Sequence, residues 1–154
     1  MIKNKLSFVQ GRLSPQVGSN YQYFPIDNWH NELKIAKKIG IQNIEWIISD
    51  LSNPIFNIKF IKFIKSNLKE SKVNISSISL DFLMNNPIHT QKIEDLNWLI
   101  KKLNIVSKNF DNIRLNIPVE ESSTISNSSE LKNLQKKLFF LKKKLSRNFL
   151  ILKS

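Results

Sequence analysis

The sequence predicts an α/β domain on a parallel sheet, and three observations carry that prediction. Strand-like and helix-like periods alternate four times, and a fifth strand-like run, Phe149-Leu150-Ile151-Leu152, follows the last helix. The strand starts at Leu6, Ile44, Ile75, Ile113 and Phe149 lie a strand, a crossover helix and two loops apart. Alternating βα units build parallel sheets, and such sheets place their chemistry at the carboxyl ends of the strands.

The elements follow in order. Leu6-Ser7-Phe8-Val9 is a short β-rich run ending near Gln10, and a polar loop with Gly11, Pro15, Gly18 and Pro25 comes after it. Asp27 offers an N-cap to a helix in which Trp29, Leu33, Ala36 and Ile39 recur at helical spacing, and Gly40 closes it. Ile44-Glu45-Trp46-Ile47-Ile48 is the second strand. Asn53 and Pro54 cap and start a second helix with Ile58, Ile61, Ile64 and Leu68 on one face. Ile75 through Leu80 alternate apolar residues and serines with one slip, which predicts the third strand. Asp95 begins a third helix with Leu96, Leu99, Leu103 and Val106 inward, and Ile113 through Ile117 form the fourth strand. Ser129 caps a fourth helix, whose Leu131, Leu134, Leu138, Leu141 and Leu145 form the face that packs on the sheet. The Ser-rich stretch from Glu120 to Ser129 reads as a loop, and one domain spans residues 1–154.

Composition narrows the function classes. With 41% hydrophobic and 23% charged residues the chain is of the globular kind, and its size suffices for a core. The absence of cysteine excludes disulfides, thiolate metal sites and a cysteine nucleophile. No leader-like or membrane-spanning apolar run occurs, so a cytoplasmic location and no membrane partner are expected. The net charge of +12 raises a nucleic-acid reading. It is disfavoured, because the charge is nearly all lysine, with only Arg12, Arg114 and Arg147 able to make bidentate forks. Lysine, asparagine and isoleucine abound while Ala36 is the only alanine, the bias that A/T-rich codon usage leaves.

The residues to question lie at strand ends: Gln10, Gly11, Arg12, Glu45, Ser49, Asp50, Asp81, Asn116 and Glu120. Arg12 beside Gly11 offers a planar set of donors to an anionic group, or is a surface arginine in a turn. Glu45, flanked by Ile44, Trp46 and Ile47, is costly to bury unpaired, so it faces a polar cavity or pairs with a lysine. Asp81 follows the third strand and serves either the site or a plain helix-cap or turn role. His30 and His89 are too few and too separated for a metal site and read as surface residues, and no zincin, nucleophile-elbow or phosphate-loop motif occurs. Trp29, Trp46 and Trp98 fall in periodic segments and are expected in the core.

Taken together, Val9-Gln10-Gly11-Arg12-Leu13-Ser14, Phe24-Pro25 with Trp29, Gly40-Ile41-Gln42-Asn43-Ile44-Glu45 and Ser79-Leu80-Asp81-Phe82-Leu83-Met84-Asn85-Asn86-Pro87 resemble the first half of a sugar phosphate isomerase/epimerase of the xylose-isomerase-like TIM-barrel superfamily. The resemblance covers essentially the whole chain. It implies a partial (β/α)8 barrel of four βα units plus a fifth strand, and a sugar or sugar phosphate as ligand. It also implies a divalent metal in the complete barrel, acting as Lewis acid and template. The family's metal ligands and catalytic glutamates come mainly from strands five to eight, and this chain reads Leu152-Lys153-Ser154 where a strand-five glutamate would stand. No metal ligand or catalytic residue is therefore carried over, and no cofactor is expected in this chain alone. The residues carried over form the substrate-facing rim: Gln10, Arg12, Glu45 and Asp81.

The resemblance thus implies a truncated or split isomerase/epimerase-like chain, inactive alone, whose edges a complementary C-terminal half or a second copy would cover. Two other readings compete. The first is a basic nucleic-acid-binding fragment like the abasic-site endonucleases of the same superfamily, which use histidine ligands that these strand ends lack. The second is a doubly wound binding module, whose glycine-rich first turn is missing.

Overall fold

A computed structural model describes residues 6–16, 23–145 and 149–151. Gly18, Arg147 and Leu152 lie outside the described residues. Five strands, β1 (Ser7–Val9), β2 (Asn43–Ile47), β3 (Asn74–Ser79), β4 (Ile113–Asn116) and β5 (Phe149–Ile151), form one sheet in the order β1-β2-β3-β4-β5. Every neighbouring pair is parallel. Because each strand pairs with the next in sequence, the described sheet has no point at which strand order reverses. A doubly wound domain needs that reversal to place helices on both faces. Sequential right-handed crossovers instead put successive helices on one face, and α1 (Trp29–Ile39) indeed packs on α2 (Ile58–Ser71), as α4 (Leu96–Ser107) does on α5 (Ser128–Lys144).

The two sheet faces have different chemistry because side chains alternate along a strand. Phe8, Ile44, Trp46, Ile75, Ile78, Leu80, Ile113 and Leu115 join the helices in one core. From α4, Leu96, Leu99, Leu103 and Val106 are each fully buried, which stabilises the fold by about 1.5–3 kcal/mol per side chain. The alternate positions, Val9, Glu45, Ile47, Ser77, Ser79, Arg114 and Asn116, fall on the opposite face, which is helix-free among the described residues.

The slip in the third strand has a structural cause. Ile44 pairs with Ile75 but Glu45 pairs with Ser77, so Ser76 is the extra residue of a β-bulge. The bulge keeps Ile75, Ile78 and Leu80 on the core side although two serines separate the first two. Ser76 turns its hydroxyl to the Ile44 carbonyl at 3.2 Å.

Helix starts differ from the expected ones in three places. The first helix follows Asn28 and not Asp27, with no side-chain cap. The second begins as a 3-10 turn, Pro54–Phe56, capped by Asn53, and restarts as α2 behind a second cap, Asn57. The cap of α5 is Asn127, whose Oδ1 accepts from both Ser129 and Glu130 N–H at 3.0 Å. A short helix, α3 (Phe82–Asn85), follows β3. Gly40 closes α1 in the left-handed conformation at φ 81°, its N–H directed to the Ala36 and Lys37 carbonyls. No helix among the described residues is long and apolar enough to cross a membrane.

Trp29 and Trp46 are core residues as expected, while Trp98 is half-buried against Phe82 with ring centroids 6.1 Å apart. His89 departs from the surface role expected of it. It is buried, and its carbonyl accepts from Lys137 Nζ at 2.6 Å. Burial, reinforced by the neighbouring Lys136, lowers the pKa of that ammonium from lysine's ordinary value.

Candidate functional site

A carboxylate in the middle of β2 anchors the helix-free face. Glu45 is half-buried, and its Oε2 accepts from Ser77 Oγ on β3 at 2.8 Å and from Asn116 Nδ2 on β4 by a short hydrogen bond. Three adjacent strands thus contribute one polar group each to a single cluster. Both donors are neutral side chains. Ser79 lies one register step further on, opposite Asn116, and exposed Arg114 stands opposite Ser77 on the same face.

Gln10 extends the β1–β2 ladder with its side chain. Its N–H donates to the Glu45 carbonyl at 3.0 Å, and its Oε1 then accepts from the Ile47 N–H at 3.1 Å, where a regular parallel ladder would use the backbone carbonyl. An amide can be placed two ways, but a backbone N–H can only donate, so the Ile47 contact fixes the oxygen there and the nitrogen away from it. That nitrogen is fully buried and has no hydrogen-bond partner in the structure. A buried donor without an acceptor costs about 1–3 kcal/mol.

The turn after Gln10 is held from a helix. Glu32 on α1, fully buried, accepts the Gly11 N–H at 3.0 Å on Oε2 and the Leu13 N–H at 2.9 Å on Oε1. Desolvation raises its pKa above the ordinary carboxylate value, against the lowering effect of the hydrogen bonds from Gly11, Leu13 and Ser14. Gly11 sits at φ 90°, and a Cβ there would meet the Tyr23 carbonyl oxygen at 2.5 Å, so only glycine fits the turn. Glu32 was not among the residues the sequence singled out. Its signal is positional: it stands three residues after Trp29 and four before Ala36, on the buried stripe of α1.

The remaining rim residues are arranged differently. Arg12 is exposed at the tip of the turn, where its N–H donates to the Val9 carbonyl at 3.2 Å, and among the described residues the Glu45 carboxylate is bonded by Ser77 and Asn116 instead. Asp81 is buried between β3 and α3, and its side chain does not cap that helix. Ser49 secures the other side of the first loop by accepting the Phe24 N–H at 2.9 Å, and exposed Asp50 closes a local turn with Ser52. A hollow of about 460 Å³ lies beside the ends of β2 and β3, lined by Ser49, Asp50, Phe82, Asn86, Gln91 and Trp98 among others.

The cluster can bind but is poorly suited to a metal. Among the described residues no group of three or more histidine, cysteine, aspartate or glutamate side chains converges. Ser77 and Asn116 both donate to the same Glu45 oxygen, Oε2. The resemblance places its divalent metal mainly on later strands, and the described residues hold no such ligand cluster. What the face offers is a carboxylate acceptor, an amide and hydroxyls, the set that recognises a polyhydroxylated molecule. Compared with known proteins, the chain matches no family model and no curated protein.

Proposed function

We propose that this chain forms the first part of an isomerase/epimerase-like (β/α) barrel and that its helix-free sheet face is one wall of a site for a sugar or sugar phosphate. The Glu45–Ser77–Asn116 cluster carries this reading, because it sets polar side chains from three consecutive parallel strands on the face that a barrel turns inward. Gln10 and the Glu32-braced turn border the same face, and a cytosolic setting suits it. The described sheet ends at β1 on one side and β5 on the other. Closure into a barrel needs further strands, supplied by a complementary half, a second copy or other residues of a longer protein. Acid-base chemistry at a metal would come from those strands, and the role of this wall is to hold and orient sugar hydroxyls.

The test is a titration of the purified chain with fructose 6-phosphate and with fructose, followed by amide NMR shifts. Weak, millimolar binding that moves Glu45, Ser77 and Asn116 is expected, since a single wall surrounds the ligand incompletely. Glu45→Gln should weaken it about tenfold by replacing a charged acceptor with a neutral one. The absence of shifts at these residues at saturating sugar would refute the substrate class. Metal-dependent isomerisation by the isolated monomer would refute the one-wall role.

A further inference from the structure

We infer that a cleft at the amino-terminal end of β3, separate from the Glu45 cluster, binds a small molecule carrying two or more phosphates on a planar ring system. The cleft has a volume of about 540 Å³, within the usual range for small-ligand sites. Its wall is Lys65 and Lys69, one turn apart on one side of α2, together with Lys72, the residue that caps the helix's carboxyl end. Its apolar base is Leu68, Val73 and Ile75, with the half-buried Phe110 at one edge.

The charge in this cleft is not balanced from within. Asp111 is the one carboxylate in its lining against three ammonium groups. Glu70, next in sequence to Lys69, lines a separate hollow with His30 and Lys34. Among the described residues, Lys65 Nζ reaches neutral groups, Asn109 Oδ1 at 3.5 Å and the Phe110 ring, with its centroid at 5.5 Å. Like charges at i, i+4 oppose each other on a helix, so an anion between them removes a repulsion as well as gaining contacts. Lys72 adds a backbone signal. It ends α2 in the left-handed conformation at φ 58°, where α1 uses Gly40, so a long cationic side chain stands where glycine is the ordinary choice. Phosphates would meet the lysines as point charges, and a flat ring would cover the apolar base and the edge of Phe110.

ATP is the probe, titrated into the whole chain at low ionic strength and followed by calorimetry and amide NMR. Saturable one-to-one binding is expected, with shifts at Val73, Asn74 and Phe110. The triple variant K65Q/K69Q/K72Q should bind about tenfold more weakly, while K132Q/K136Q/K143Q, which removes equal charge from α5, should bind as the wild type does. Circular dichroism of both variants confirms that they fold. Equal weakening by the two triples would overturn the site and assign the binding to the net charge of +12. No binding at low salt would overturn it as well. Pyrophosphate binding as tightly as ATP would remove the ring from the ligand class, and displacement of ATP by a short single-stranded oligonucleotide at lower concentration would reassign the cleft to nucleic acid.

Discussion

Replacing Trp46 by alanine is expected to destabilise the fold by about 4 kcal/mol, the middle of the range for truncating a large buried aromatic. Trp46 is fully buried on the core side of β2, with ring centroids 5.3 Å from Phe24 and 5.5 Å from Trp29, which in turn meets Phe63 edge-on at 5.7 Å. Its indole N–H donates to Asn53 Oδ1 at 3.0 Å, and Asn53 Nδ2 returns a bond to the Ile47 carbonyl at 2.9 Å. Truncation therefore opens a cavity and also strips a donor from a buried amide that organises the loop after β2. Against a typical domain stability of about 5–15 kcal/mol, this is a large fraction of the whole. Urea unfolding should show the midpoint falling by roughly 2 M, given slopes of about 1–3 kcal/mol per M. Trp46→Phe separates the two contributions, since it keeps most of the ring and removes the N–H, and about 1–2 kcal/mol is expected for it. A loss below about 1 kcal/mol for the alanine variant would contradict the placement of Trp46 in the core.

The reach of the sequence can be traced residue by residue. The inward stripe Leu96, Leu99, Leu103, Val106 is buried throughout, because a full helix face lies over the sheet. The stripes on the second and last helices are right in the middle and wrong at one end: Ile58 is 67% exposed and Leu131 46% exposed, so the first turn of each helix projects past what it packs on. Periodicity reports a helix's face and carries no information about where the sheet ends. The serine slip at Ser76-Ser77 was legible as an irregularity, and only the pairing with β2 shows it to be a bulge. At the candidate site, Glu45 stood out because a carboxylate in an apolar strand demands a partner. Its partners Ser77 and Asn116, 32 and 71 residues away, depend on the register of three strands, which local pattern does not encode. The guanidinium of Arg12 suits an anionic group, but the turn that carries it leaves it exposed and apart from the cluster.

Glu32 provides the other large expected effect and links the fold to the candidate site. Glu32→Ala leaves the Gly11 and Leu13 N–H groups without their acceptor, at about 3 kcal/mol in total for two bonds to a buried carboxylate. The same carboxylate has its pKa raised in the folded state, chiefly by desolvation. The native state then holds this proton at pH values where the unfolded chain has released it, so stability falls as pH rises. The stabilisation tied to the protonated form is complete below the ordinary value of 4.5 and is lost as pH climbs through the raised folded value. Urea unfolding of the wild type across that window should show this decline. Glu32→Gln, which cannot ionise, should flatten it while keeping one carbonyl acceptor for the turn. Because Gln10 and Gly11 sit in the turn that Glu32 braces, Glu32→Ala should also broaden the Gln10 side-chain amide signals, a readout that loss of global stability alone would not produce. A pH profile for Glu32→Gln identical to that of the wild type would show that the decline arises from other carboxylates, and sharp Gln10 signals in Glu32→Ala would show that the turn holds its shape without this brace.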